Sequence, residues 1–165
     1  MPYNGLKAER DRKRLADAIL AAKGKPFESG VPLKQARVSS PYGMRMHPIL
    51  KKPQFHQGTD YAAPEGTPIY ATQDGYINRA QHKSAGDVKG NNVSVKHAGG
   101  QESRYAHMSR FSPKALKGGM VKKGDLLGYV GTTGRSTGPH LHYGLYDKGQ
   151  HRDPLEPMWK RFAGS

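Results

Sequence analysis

Apolar residues follow two different periods along this chain. In residues 6–22, Leu15, Ala18, Ile19 and Ala22 fall at i, i+3, i+4 and i+7, which is the spacing of one helix face. Glu9 and Lys13 add a favourable i,i+4 pair, and Gly24 and Pro26 then stop the pattern. From there to Lys34 the chain reads as a connector. Beyond it the period drops to two. The runs ARVSS (36–40), TPIYAT (67–72), GYINRAQH (75–82), NNVSVKHA (91–98), ESRYAHMS (102–109), DLLGYVG (125–131) and HLHYGLY (140–146) are short, and Gly, Pro, Asn or Asp bounds most of them. The pattern predicts a mainly β protein: a small antiparallel β-sheet or sandwich domain over residues 35–165, preceded by a helix and connector over residues 1–34. EPMWKRFA, at 156–163, is expected to add one helical turn. No internal repeat interrupts this organisation.

The last of these runs follows a Gly-Pro pair and carries two histidines one residue apart. A strand turns residues i and i+2 to the same face, so His140 and His142 point one way and Leu141 the other, toward the core. The glycine-rich stretch 117–134 reads as turns and close strand crossings. It is not a phosphate loop, because no Lys-Ser/Thr pair and no helical pattern follow its glycines.

Composition narrows the chemistry. The 165 residues suffice for one domain with a core, and no apolar run approaches the length of a membrane span. The N-terminus lacks the continuous apolar stretch of a signal peptide, which is expected of a trimmed chain or of a phage lysis enzyme. The chain has no cysteine, so disulfides, thiolate metal sites and cysteine nucleophiles are excluded. Lys and Arg number 27 against 13 acids, a net charge of +14 that suits polyanionic partners. The densest basic run, ERDRKR, is broken by acids, and Tyr70, Tyr76 and Tyr105 are explained by core packing, so no specific nucleic-acid partner is expected.

Among eight histidines, company singles out a few. His56 precedes Asp60 by four residues in FHQGTDYAAP, His107 lies within a strand, and the H-x-H pair comes later. Without cysteine, a zinc site in this chain must use His and carboxylate. A catalytic zinc keeps three such ligands and one open position. His56, Asp60 and one histidine of the pair would be enough, which leaves the other facing the same cavity as a proton-transfer group.

The segments 37–77, 90–109 and 121–145 together resemble the lysostaphin/LytM-type zinc metallopeptidases, which cut peptide cross-links in bacterial peptidoglycan. The resemblance runs from about Arg37 to Pro154 and keeps three separated motifs in order. It implies a small antiparallel β domain with a groove over one zinc ion, held by His56, Asp60 and His142, with His107 and His140 as the catalytic histidines. All five positions match, which argues against a non-catalytic binding or activator module of the same fold. Ala106, Met108 and Gly144 depart from common versions of the family beside the chemistry rather than in it. The segment MHPI (46–49) is similar to members that cut Gram-negative-type walls, and His47 there is read equally as a groove residue or a structural one. The resemblance thus implies a monomeric endopeptidase of the periplasm, cell wall or extracellular space. Its partners would be peptidoglycan stems and anionic wall polymers. Its scissile bond would be D-alanyl–diaminopimelate, ahead of a glycine bridge.

Overall fold

Residues 91–96 and 101–111 set the centre of the structure, because Val93, Val95, Ser103 and Tyr105 place a continuous buried stripe on one face of two paired strands. The computed structural model describes residues 32–34, 36–47, 49–83 and 88–154. The expected helix over 6–22 and the helical turn over 156–163 lie outside the described residues.

The strands in chain order are β1 (Arg37–Ser40), β2 (Gly43–Met46), β3 (Pro53–His56), β4 (Thr59–Ala62), β5 (Pro68–Tyr70) and β6 (Gly75–Gln81). They continue as β7 (Asn91–Lys96), β8 (Gln101–Phe111), β9 (Gly119–Val121), β10 (Leu126–Val130), β11 (His140–Asp147) and β12 (Gln150–Arg152). One helical turn, α1 (Pro113–Lys117), is capped by Ser112, whose Oγ accepts from the Ala115 amide at 3.1 Å. Ten strands form one antiparallel sheet in the order β1-β4-β11-β8-β7-β6-β9. From this path β10 pairs with β8 and β5, and β12 pairs with β11. β2 and β3 form a separate hairpin that exposes Met44, Met46 and Phe55.

The seven expected runs are β1, β5, β6, β7, β8, β10 and β11. Five further strands, each three or four residues long, come from pairing rather than from a local apolar pattern.

β8 changes partner part-way along its length. Through Ala106 it pairs with β11, and from Met108 it pairs with β10. On its other edge Asn91 faces Met108 while Val93 faces Tyr105, so β8 carries one extra residue there. His107 sits in that bulge with φ 62°, a left-handed backbone uncommon for a side-chain-bearing residue. Two side chains after Tyr105, simple alternation would send His107 into the core. The bulge gives that place to Met108, which is fully buried, and re-aims His107.

Ile69, Val93, Val95, Leu127, Val130, Leu141 and Tyr143 fill the core. A chain of hydroxyls threads it: Tyr143 Oη lies 2.8 Å from Thr72 Oγ1, which lies 3.1 Å from Tyr105 Oη. Ser103 Oγ continues it at 2.9 Å from Tyr105, and His97 Nε2 ends it at 2.7 Å from Ser103. Each member of this chain of five side chains finds a partner, which removes the desolvation cost of an orphaned polar atom there. Ahead of β1, the Pro32 carbonyl accepts from the Tyr70 amide at 2.8 Å, and Leu33 is buried in the core.

Candidate metal centre

β4 and β11 are neighbours in the sheet, with His142 opposite Asp60 and His140 opposite Ala62. Along β11, Leu141 and Tyr143 are buried, while His140 and His142 share the other face. β3 ends on His56, and a short turn through Gly58 returns the chain into β4. Glycine is required in that turn by proximity. A Cβ at Gly58 would lie 2.6 Å from the Tyr143 carbonyl oxygen and 2.8 Å from His142 Nε2.

Three ligand atoms converge as a result. His56 Nε2 is 3.1 Å from Asp60 Oδ1 and 3.2 Å from His142 Nδ1, and His142 Nδ1 is 2.9 Å from Asp60 Oδ1. The edges of a tetrahedron with metal–ligand bonds near 2.1 Å are about 3.4 Å, so the triangle is close to one face of a four-coordinate site. The donor chemistry agrees. His56 Nδ1 lies 2.9 Å from the Pro41 carbonyl, which only accepts, so the ring proton belongs on Nδ1 and Nε2 turns a lone pair toward Asp60. His56 and Asp60 are buried. Among the described residues this is the one cluster of three or more such side chains able to hold a metal.

Burial works to raise the Asp60 pKa, but the neighbouring imidazoles of His142 and His56 outweigh it and hold the carboxyl well below the usual range. Arg45 Nη1 lies 3.4 Å from Asp60 Oδ2 and donates to Ser40 Oγ at 2.8 Å. The aspartate therefore directs one oxygen to the three-residue cluster and the other to a cation.

The remaining two expected residues stand beside the triangle. The His107 and His140 ring centroids are 4.6 Å apart, His107 and His142 are 6.2 Å apart, and His140 Nε2 is 4.0 Å from Asp60 Oδ1. Both rings are oriented by carbonyls of the loop between β10 and β11. His107 Nδ1 donates to Thr133 O at 2.7 Å, and His140 Nδ1 donates to Gly138 O at 2.9 Å. Each is left with Nε2 as its free nitrogen. Burial pushes the His107 pKa down to about 4, against the opposing pull of the Thr133 carbonyl.

Thus His56, Asp60, His107, His140 and His142 share one site. Of the other histidines, His97 is in the core network, His82 packs on Phe111, and His151 Nδ1 meets Tyr42 Oη at 2.7 Å. For His47 the two alternative readings coincide: its Nδ1 accepts from the Ile49 and Leu50 amides at 3.2 and 3.0 Å, closing a turn, and the residue also lines the groove. Arg45, Gly58, Asn91 and Thr133 also shape the site. Of these Gly58 alone had a signal, since a turn between two ligand residues four apart leaves little room for a side chain.

Residues 54–154 match Peptidase family M23. The chain belongs to this family. Over 124 residues, 75% of this chain, it is 49% identical to the DD-carboxypeptidase/endopeptidase Mpg of Neisseria meningitidis, and it spans 27% of that protein's length. It shares the fold of a zinc-containing peptidase from Vibrio cholerae, with TM-score 0.69 and 30% identity over 79% of this chain and 40% of that one. It also resembles the catalytic domain of the prophage-encoded M23 protein EnpA of Enterococcus faecalis, with TM-score 0.63 and 40% identity over 74% of this chain and 92% of that one. The Vibrio cholerae neighbour is a zinc-containing peptidase, and the donor set of His56, Asp60 and His142 suits the same ion. No described helix is long and apolar enough to cross a membrane.

Proposed function

We propose that this domain is a zinc endopeptidase that hydrolyses peptide cross-links of bacterial peptidoglycan, at D-alanyl–diaminopimelate bonds, in the periplasm, cell wall or extracellular space. The observation that carries the reading is the triangle of His56 Nε2, Asp60 Oδ1 and His142 Nδ1, with two carbonyl-oriented imidazoles beside it. The relatives named for DD-endopeptidase activity support the substrate class.

His56, Asp60 and His142 would hold the metal. When bound, zinc supplies a water of lowered pKa and polarises the substrate carbonyl. His140 Nε2, on the same strand face as His142, accepts the proton as water attacks the peptide carbonyl, and returns it to the leaving amine. Its Nδ1–H stays on Gly138 throughout, which fixes the ring for a single proton transfer. Burial keeps His107 neutral while its neighbour carries charge, so His107 Nε2 serves as a hydrogen-bond acceptor that orients the attacking water.

Digestion of diaminopimelate-type peptidoglycan by the zinc-loaded domain, read by mass spectrometry, tests this. Conversion of cross-linked dimers to monomers with a new D-alanine carboxyl supports it. An undigested polymer contradicts it.

A further inference from the structure

The groove beside the cluster has a volume of about 440 Å³. Ser40, Arg45, His47, Arg135, Ser136 and His140 are among the residues that line it. Its only acid is Asp60, which is committed to His56, His142 and Arg45. The two arginines differ. Arg45 is held between Ser40 and Asp60, so its charge is largely answered within the protein. Arg135 is exposed, its backbone amide is fixed on Val88 O at 3.0 Å, and among the described residues no carboxylate pairs with it. Desolvation lowers the His47 pKa, and the charges of Arg45 and Arg135 on the same groove lower it further. Such a cleft focuses its field on an anionic ligand. A free guanidinium presents a planar fork that fits a carboxylate better than it fits a phosphate-free neutral peptide.

We propose that Arg135 anchors a carboxylate of the substrate peptide, making the groove selective for an acidic stem close to the scissile bond. The proposal rests on the peptidase reading above for the identity of its ligand. The carboxylate has two sources: the C-terminus of a stem peptide, or the free carboxyl of a diamino acid within it. Arg45 is instead a positioning residue for Asp60.

The test compares synthetic stem peptides in matched pairs. In one pair the C-terminal carboxylate is replaced by carboxamide, and in the other the diamino acid's free carboxyl is replaced. A charge-assisted fork contributes on the order of tenfold or more. Amidation of the engaged carboxyl should therefore lower kcat/KM of the zinc-loaded domain by about tenfold. Arg135→Gln should lower it similarly on the acid peptide and by less than twofold on the amide, while Arg135→Lys restores part of the difference. The pair that responds identifies the source. Binding of the same peptides, followed by calorimetry, gives the same comparison when no bond is cut, so failure of the peptidase reading leaves this one testable. Equal treatment of acid and amide by the native domain would overturn the proposal, as would an undiminished acid preference in Arg135→Gln.

Discussion

His142 and Asp60 are direct cross-strand partners, set opposite each other on β11 and β4 with Nδ1 2.9 Å from Oδ1. Two of the three converging ligand atoms are therefore fixed by sheet register, and a one-residue slip of either strand would turn one of them to the opposite face. His140, two residues away, stays on the same face without joining the triangle. On the proposed reading, metal holding and proton transfer fall to alternate positions of one strand.

That division predicts different losses. His142→Ala should release zinc and abolish hydrolysis together. His140→Ala should retain one zinc per chain while activity falls roughly 10²-fold or more, the usual contribution of a general base. Elemental analysis alongside a cleavage assay makes the comparison. Equal zinc loss in both variants would place His140 among the ligands.

Gly58 gives a packing prediction. A methyl group there meets the Tyr143 carbonyl at 2.6 Å and the His142 ring at 2.8 Å, and both belong to a central strand that cannot give way. Gly58→Ala should cost about 1–3 kcal/mol of stability and weaken zinc retention. Thermal unfolding with and without zinc measures both, and an unchanged midpoint would show that the turn can relax.

The bulge at His107 is held by its neighbours. Asn91 Nδ2 donates to the Met108 and Ser109 carbonyls at 3.1 and 3.3 Å, and Thr133 Oγ1 donates to Met108 O at 2.7 Å. Asn91→Leu removes both of its bonds and leaves Met108 O to Thr133 alone, at a cost of about 1–3 kcal/mol. Activity should fall while zinc content holds, because His107 alone loses its aim. A variant with full activity would detach the bulge from catalysis.

His97 makes acid stability testable away from the metal. Burial holds its pKa at about 4, against the pull of Asp74 and Glu102. Its ordinary value is 6.5, so the unfolded chain binds this proton first as pH falls. The stabilisation is complete above pH 6.5 and is lost progressively toward pH 4. Between pH 7 and pH 5 the loss from this residue should be on the order of 2 kcal/mol. Denaturant unfolding at the two pH values measures it, and the loss should shrink in His97→Gln.

What the sequence disclosed follows from where pattern carries information. Period-two runs marked the longer strands, and parity alone put His140 and His142 on one face with Leu141 behind them. β4 escaped notice because its buried positions, Thr59 and Asp60, are polar, so no apolar alternation marks it. β2 and β3 escaped because the hairpin exposes its apolar residues Met44 and Phe55. The bulge left one trace: Tyr105 and Met108, both in the core, are three apart and break the alternation. Arg45, Asn91 and Thr133 act through contacts formed only when distant strands meet, and no local pattern announces them.

Anomalous diffraction from a crystal of the zinc-loaded domain tests the central claim most directly. The account predicts a single strong peak at about 2.1 Å from His56 Nε2, Asp60 Oδ1 and His142 Nδ1, with solvent in the fourth position. A peak elsewhere, or none at saturating zinc, would contradict it.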